Sequence, residues 1–188
     1  LAVPLLFGGN AVWEEDGRLR KANTAFLIDA DGTIHDAYDK NLLIPLAEYL
    51  PLADVVPALT RWFPHVQEFG ASTATPALRL GAWRIAVPIC YEVVRPEFVR
   101  RMMREAQPTL LVTLANDAWF GDTSAPYQHF SQAAMRAIEN GRYLVRAANT
   151  GISGAVDPYG RILAHSPLYQ PAVTTVDVRY LDVMTPYA

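Results

Sequence analysis

The sequence predicts an α/β domain built around a buried sheet, and three observations carry that expectation. First, 51% of the 188 residues are hydrophobic and 19% are charged, enough apolar material for a sizeable core and too much for disorder. Second, Arg84–Ile89 and Thr109–Ala115 are almost unbroken apolar runs, the pattern of strands covered on both faces. Third, helical periodicity alternates with those runs, as α/β architectures require.

Taken in order, Val3–Phe7 reads as a strand ending at Gly8-Gly9-Asn10 and resuming as Ala11–Trp13 before the charged turn Glu14-Glu15-Asp16-Gly17. Thr24–Ile28 and Thr33–Tyr38 read as a hairpin around Asp29-Ala30-Asp31-Gly32. Residues 49–77 break the pattern: Pro51, Pro57, Pro64 and Pro76 punctuate a stretch that carries Trp62, Phe63 and Phe69. A segment this long with aromatics and few charges reads as a functional lid loop, with one helical turn at Pro57–Phe63. Leu78–Leu80 and Trp83–Cys90 follow as paired strands.

Pro96 then opens a helix with Phe98, Val99, Met102, Met103 and Ala106 at helical spacing, and Pro108 closes it. A second helix runs from Pro126 to Glu139, with Phe130, Ala133, Ala134, Ala137 and Ile138 on one face and Gly141 as its stop. Tyr143–Ala148, Ile152–Val156 and Ala172–Val178 complete the strands, with Asp157-Pro158-Tyr159-Gly160 as a turn.

Composition also excludes several classes. A net charge of −3 without a basic run leaves no surface for nucleic acid. One cysteine rules out a disulfide framework and a multi-cysteine zinc site, and His35, His65, His129 and His165 are too scattered for a metal motif, so no metal and no cofactor is expected. No stretch approaches the roughly 18–20 apolar residues that span a bilayer. The opening at Leu1, inside an apolar run and without Met or a leader, reads as a chain belonging to something longer.

Chemistry centres on Cys90, placed where a buried strand meets a turn and a helix. That placement suits a nucleophile at the carboxyl edge of a sheet, with a following backbone N–H available to an oxyanion; it also suits a small buried hydrophobe. A thiol needs a base and a lowered pKa, and no histidine lies near it in sequence. Lys40 and Glu48 are the charged candidates, as a cation beside a thiolate and a carboxylate in the same pocket, or as ordinary loop charges. Asn116 and Asp117 suit loop geometry, Trp119 and Phe120 suit either an acyl pocket or packing, and His129 reads as a satisfied polar residue.

The segments Y-D-K-x-x-L-x-P-x-x-E-Y (38–49), I-C-Y-E (89–92), N-D-A-W-F-G (116–121) and A-x-E-N-G-R-Y-L-V-R-A-x-N-T-G (137–151) occur in this order. Together they resemble the nitrilase superfamily, and within it the apolipoprotein N-acyltransferase branch, over roughly residues 3–178. The resemblance implies a nitrilase-like αββα sandwich, a single partial domain over 1–188 that is incomplete at its N-terminus. It implies Cys90 as nucleophile, Lys40 as the oxyanion-stabilising cation and Glu48 as a second acid near the site, with Tyr91 and Glu92 flanking the nucleophile. Asn116, Trp119 and Phe120 complete the expected substrate side.

The implied reaction takes a fatty acyl group from a phospholipid onto cysteine as a thioester. It then passes the group to the N-terminal amine of a diacylglyceryl-cysteine lipoprotein at the bacterial inner membrane, on the periplasmic face. Membrane attachment is expected through segments outside this sequence. One departure stands out: the family's triad glutamate has no counterpart ahead of Lys40, where Glu14 and Glu15 sit in a turn. These 188 residues alone are therefore expected to be inactive. The alternatives are a soluble amidase of the same superfamily and a non-catalytic lipid- or lipoprotein-binding module.

Overall fold

The chain begins with a three-stranded antiparallel meander, seen in a computed structural model that describes residues 3–53, 55–66 and 68–188. Strand β1 (Leu5–Glu15) pairs with β2 (Arg18–Ile28) through the two-residue turn Asp16-Gly17, where both residues have positive φ, 52° and 70°. That conformation is the one a tight hairpin needs. β1 does not break at Gly8-Gly9-Asn10 as the sequence suggested, because Gly8, Gly9 and Asn10 pair with Ala25, Thr24 and Asn23. The glycines instead leave a stretch of strand without side chains, which becomes the wall of a cavity. β3 (Ile34–Asp39) returns along β2 after the Asp29–Gly32 turn.

Among the described residues of 41–77, the one helix or named strand is the helical turn α1 (Leu59–Trp62). Strands β4 (Leu78–Leu80) and β5 (Trp83–Ala86) then form a hairpin. β5 stops at Ala86, short of the predicted Cys90, since Pro88 has no N–H to continue the ladder. A 3-10 turn (Cys90–Val94) leads into α2 (Pro96–Ala106), which buries Phe98, Val99, Met102 and Met103. β6 (Leu110–Asn116), a second 3-10 turn (Ala118–Phe120), α3 (Ala125–Asn140) and β7 (Leu144–Asn149) follow. Gly141 ends α3 with φ of 59°.

β8 (Gly154–Val156) and β9 (Ile162–His165) finish the six-stranded sheet in the order β4-β5-β6-β7-β8-β9. β5, β6 and β7 are parallel and the outer pairings antiparallel. β9 was not anticipated, whereas the predicted strand Ala172–Val178 is irregular chain. Val173 is 99% exposed, so that β-prone run lacks the packing against neighbouring strands that turns propensity into a strand.

Helices α2 and α3 contact β5 and β7, while β1 and β3 contact β6 and β4. The molecule is thus a nitrilase-like α/β arrangement, a helical layer on a mixed sheet with a second sheet packed beside it. The buried stripe of α3 differs from the expected one: His129, Arg136 and Asn140 are buried with Phe130, Ala133 and Ala137, and Ile138 is exposed. No helix among the described residues is long and apolar enough to cross a membrane.

Candidate active site

Parallel strands deliver their carboxyl ends to one edge of the sheet, and here the candidate residues Cys90 and Asn116 follow or end such strands. Beyond β5 the chain runs through Ile89, bridged to Leu114 of β6, and turns sharply at Cys90. Cys90 adopts φ of 51°, a left-handed conformation that a side chain disfavours. The sharp turn presents the thiol to a cavity of about 820 Å³. Leu6, Phe7, Ile44, Phe69, Leu114 and Phe120 give the cavity an apolar wall, and Asn23, Asn116 and Asn149 supply polar points.

Lys40 emerges directly after β3 with its side chain 0% exposed, and its Nζ lies 2.7 Å from both carboxylate oxygens of Glu48. Glu48 lines the cavity and also accepts hydrogen bonds from the Ile44 N–H (2.8 Å) and Asn23 Nδ2 (3.3 Å). A charge pair removed from water persists only with such complete partnering. Burial pushes the Cys90 thiol up; the Lys40 charge and the Asn116 backbone N–H pull it back, while Asp117 and Glu48 oppose them. The net direction is upward.

The structure therefore gathers Cys90, Glu48, Asn116, Trp119 and Phe120 around one space, with Trp119 73% exposed, and Lys40 stands behind Glu48, buried and not itself lining the cavity. Tyr91 and Glu92 are placed differently: neither lines the cavity. Tyr91 lies at the surface. Glu92 is fully buried and accepts the Tyr38 hydroxyl (2.9 and 3.0 Å) and the N–H groups of Asn41 (2.6 Å), Leu42 (3.0 Å) and Ile89 (2.7 Å). Burial raises its pKa, and those donors pull against the rise. Glu92 thus braces the segment after Lys40 against the residue before Cys90.

Behind the cavity lies a second buried set that sequence reasoning did not assemble. Asp117, just past β6, is 2.9 Å from His129 Nδ1 on α3 and 2.7 Å from Arg146 Nη2 on β7. His129 Nε2 reaches the Cys90 carbonyl at 3.2 Å. Burial alone would raise the Asp117 carboxyl, but His129 and Arg146 outweigh it and hold it below the ordinary carboxylate value. Asn23 was also missed, since a single asparagine has no distinguishing local signal; Arg146 stood inside the 137–151 motif, but its pairing with Asp117 was not legible there.

A thiol, an ammonium and a carboxylate at a mostly apolar cavity can support nucleophilic attack on a carbonyl. Among the described residues no cluster of side chains suited to a metal ion occurs.

The chain is 42% identical over 172 residues to an apolipoprotein N-acyltransferase of Geobacter metallireducens, covering 91% of this chain and 33% of that protein. Apolipoprotein N-acyltransferases of Pseudomonas aeruginosa and Pseudomonas putida are 38% and 37% identical over 175 and 184 residues, covering 92% and 97% of this chain and 33% and 36% of theirs. The chain thus spans about a third of the length of the curated relatives it matches. A solved amidase from Nesterenkonia sp. AN1, with the acetamide moiety of fluoroacetamide on its active-site cysteine, shares the fold with TM-score 0.61 at 23% identity. That alignment covers 89% of this chain and 58% of the amidase. A carbon-nitrogen hydrolase from Helicobacter pylori has TM-score 0.61 at 15% identity, covering 86% of this chain and 57% of that one. With residues 2–184 matched by the family model described as carbon-nitrogen hydrolase, this chain belongs to the carbon-nitrogen hydrolase family.

Proposed function

We propose that the protein carrying this chain is an acyltransferase of the apolipoprotein N-acyltransferase kind, with Cys90 as its nucleophile. The observation that carries this reading is the Cys90 turn opening into an apolar-walled cavity of about 820 Å³ beside the Lys40–Glu48 pair. A volume of that size and lining suits an acyl chain. The N-acyltransferase relatives support the same direction.

In the proposed reaction the Cys90 sulfur attacks the ester carbonyl of a phospholipid, the carbon–oxygen bond breaks, and the thiol proton leaves with the lysophospholipid hydroxyl. The acyl group stays on sulfur as a thioester. The free α-amine of a diacylglyceryl-cysteine lipoprotein then attacks that carbonyl, giving an amide and returning a proton to the thiol. Lys40 is positioned by Glu48 to stabilise both oxyanions, and Asn116, Trp119 and Phe120 line the acyl side. The aromatic segment 49–77 is proposed as a lid at the inner membrane, on the periplasmic side, with Trp62 79% exposed and Phe69 lining the cavity.

Glu48 is the only carboxylate lining the cavity among the described residues, and Lys40 already engages it. The 188 residues alone are therefore proposed not to turn over.

Incubating the intact gene product with phospholipid should leave an acyl adduct on Cys90, detectable by mass. Adding a diacylglyceryl-cysteine peptide should discharge it, and Cys90→Ser should abolish both. Hydrolysis of simple amides without transfer would favour the amidase, and lipid binding without an adduct the binding module. Catalytic transfer by the 188-residue chain alone would overturn its proposed inactivity. Trp62→Ser with Phe63→Ser should slow turnover, and unchanged turnover would remove the lid.

A further inference from the structure

The Asp117–His129–Arg146 cluster lies outside the proposed chemistry, yet it is built with care. Its members come from three elements: the end of β6, the first half of α3 and the middle of β7. Asp117 is 1% exposed, His129 4% and Arg146 2%. Arg146 Nε also donates to the Ile152 carbonyl at 3.0 Å. Gly151 has no side chain at the one place where a Cβ would collide with the Asp117 carboxylate. Apolar packing would hold such a layer about as well as buried charges do, so stability alone does not account for the cluster.

Its single contact with the nucleophile does. The Cys90 carbonyl can only accept, so His129 Nε2 donates to it across 3.2 Å. Cys90 is the residue whose backbone stands in the left-handed region, φ 51°, immediately after a proline-interrupted strand. Strain of this kind persists only where neighbouring groups over-determine it. His129 holds the carbonyl end of the Cys90 turn, Asp117 accepts from His129 Nδ1 at 2.9 Å, and Arg146 holds Asp117 through its other oxygen at 2.7 Å.

We infer that the buried Asp117–His129–Arg146 cluster is a positioning device for Cys90, acting through the His129 Nε2–H bond to the Cys90 carbonyl to hold the turn that aims the thiol into the cavity. The inference rests on the reading of Cys90 as nucleophile. Asp117, His129 and Arg146 are positioning residues, not catalytic ones.

Steady-state acyl transfer by the intact gene product, with rates expressed per Cys90 able to take an acyl adduct, tests it. His129→Asn keeps a nitrogen facing Asp117 but falls short of the Cys90 carbonyl; kcat should drop about 10–100-fold, with KM within about twofold. His129→Gln carries an amide donor at the Nε2 position and should recover most of that loss. A cluster that served only the core would lower the melting temperature of both variants and leave kcat per site unchanged, which overturns the inference. If His129→Asn is not recovered folded, the same-sized Asp117→Asn should show the kcat loss with KM held, and an unchanged kcat overturns the inference there. Transfer that survives Cys90→Ser overturns the nucleophile reading and this inference together. Cys90-dependent transfer with all these variants at the wild-type rate overturns the inference alone.

Discussion

On the Cys90 sulfur two opposing influences meet. Burial favours the neutral thiol, and the Lys40 ammonium with the Asn116 N–H favours the thiolate. Burial prevails, so the rate of Cys90 alkylation by iodoacetamide should rise with pH through a midpoint above the ordinary thiol value of 9.0. Lys40→Met removes the cation and should move that midpoint higher still; a midpoint left in place would show that Lys40 does not act on the sulfur. The same shift carries a stability consequence. Because the folded thiol holds its proton more tightly than the unfolded one, its contribution is complete below the unfolded pKa and disappears as pH rises through the folded value.

At the level of elements, the glycines separate two kinds of requirement. Gly151 abuts the Asp117 carboxylate, so Gly151→Ala forces that buried group aside and should lower stability by about 1–3 kcal/mol in urea denaturation. Gly8 lies in β1, where a Cβ would make ordinary contact with Leu114 at 3.7 Å. Gly8→Ala should change stability by less than about 1 kcal/mol. Equal losses at the two positions would contradict this account.

The same elements show what was legible beforehand. Both long helices were readable because Phe98, Val99, Met102 and Met103 in α2 and Phe130, Ala133 and Ala137 in α3 recur at helical spacing, and the central strand β6 because Leu110–Ala115 is an almost unbroken apolar run. Cys90, Lys40 and Glu48 were readable as motif positions; Cys90 and Glu48 line one cavity, and Lys40 pairs with Glu48 behind it. β9 was missed although the Asp157–Gly160 turn pointed to a return strand, because Ile162–His165 is short and mostly exposed. Ala172–Val178 carried β propensity but pairs with no strand among the described residues, and propensity without cross-strand packing does not make a strand. Glu92 read as a neighbour of the nucleophile, and only the fold reveals that its partners lie 50–54 residues upstream as well as at Ile89.

Across the whole molecule, the irregular C-terminal segment acts as a strap. Asp182 pairs with Arg84 at 2.7 Å, Tyr180 meets the Trp83 ring at 5.7 Å, and the Val183 carbonyl accepts from Arg142 at 2.5 Å. Arg142 also donates to the carbonyls of Pro108 (2.7 Å), Asn140 (3.3 Å) and Gly141 (3.2 Å), joining the start of β6, the end of α3 and the strap at one buried guanidinium. Arg142→Leu leaves those carbonyls without their donor. It should lower stability by about 2–4 kcal/mol and open the segment beyond residue 170 to proteolysis. An unchanged urea midpoint with an intact C-terminus would contradict the strap.

The brace made by Glu92 has a mechanical consequence. One buried carboxylate grips the Tyr38 hydroxyl, the chain leaving Lys40 and the residue before Cys90, so the segments that carry Lys40 and Cys90 cannot hinge apart while those hydrogen bonds are in place. Admitting a bulky substrate must therefore be the work of other parts, such as the Trp119 rim and the 49–77 segment. Under the proposed chemistry Lys40 and Cys90 form a fixed anvil, and motion is left to the walls around it.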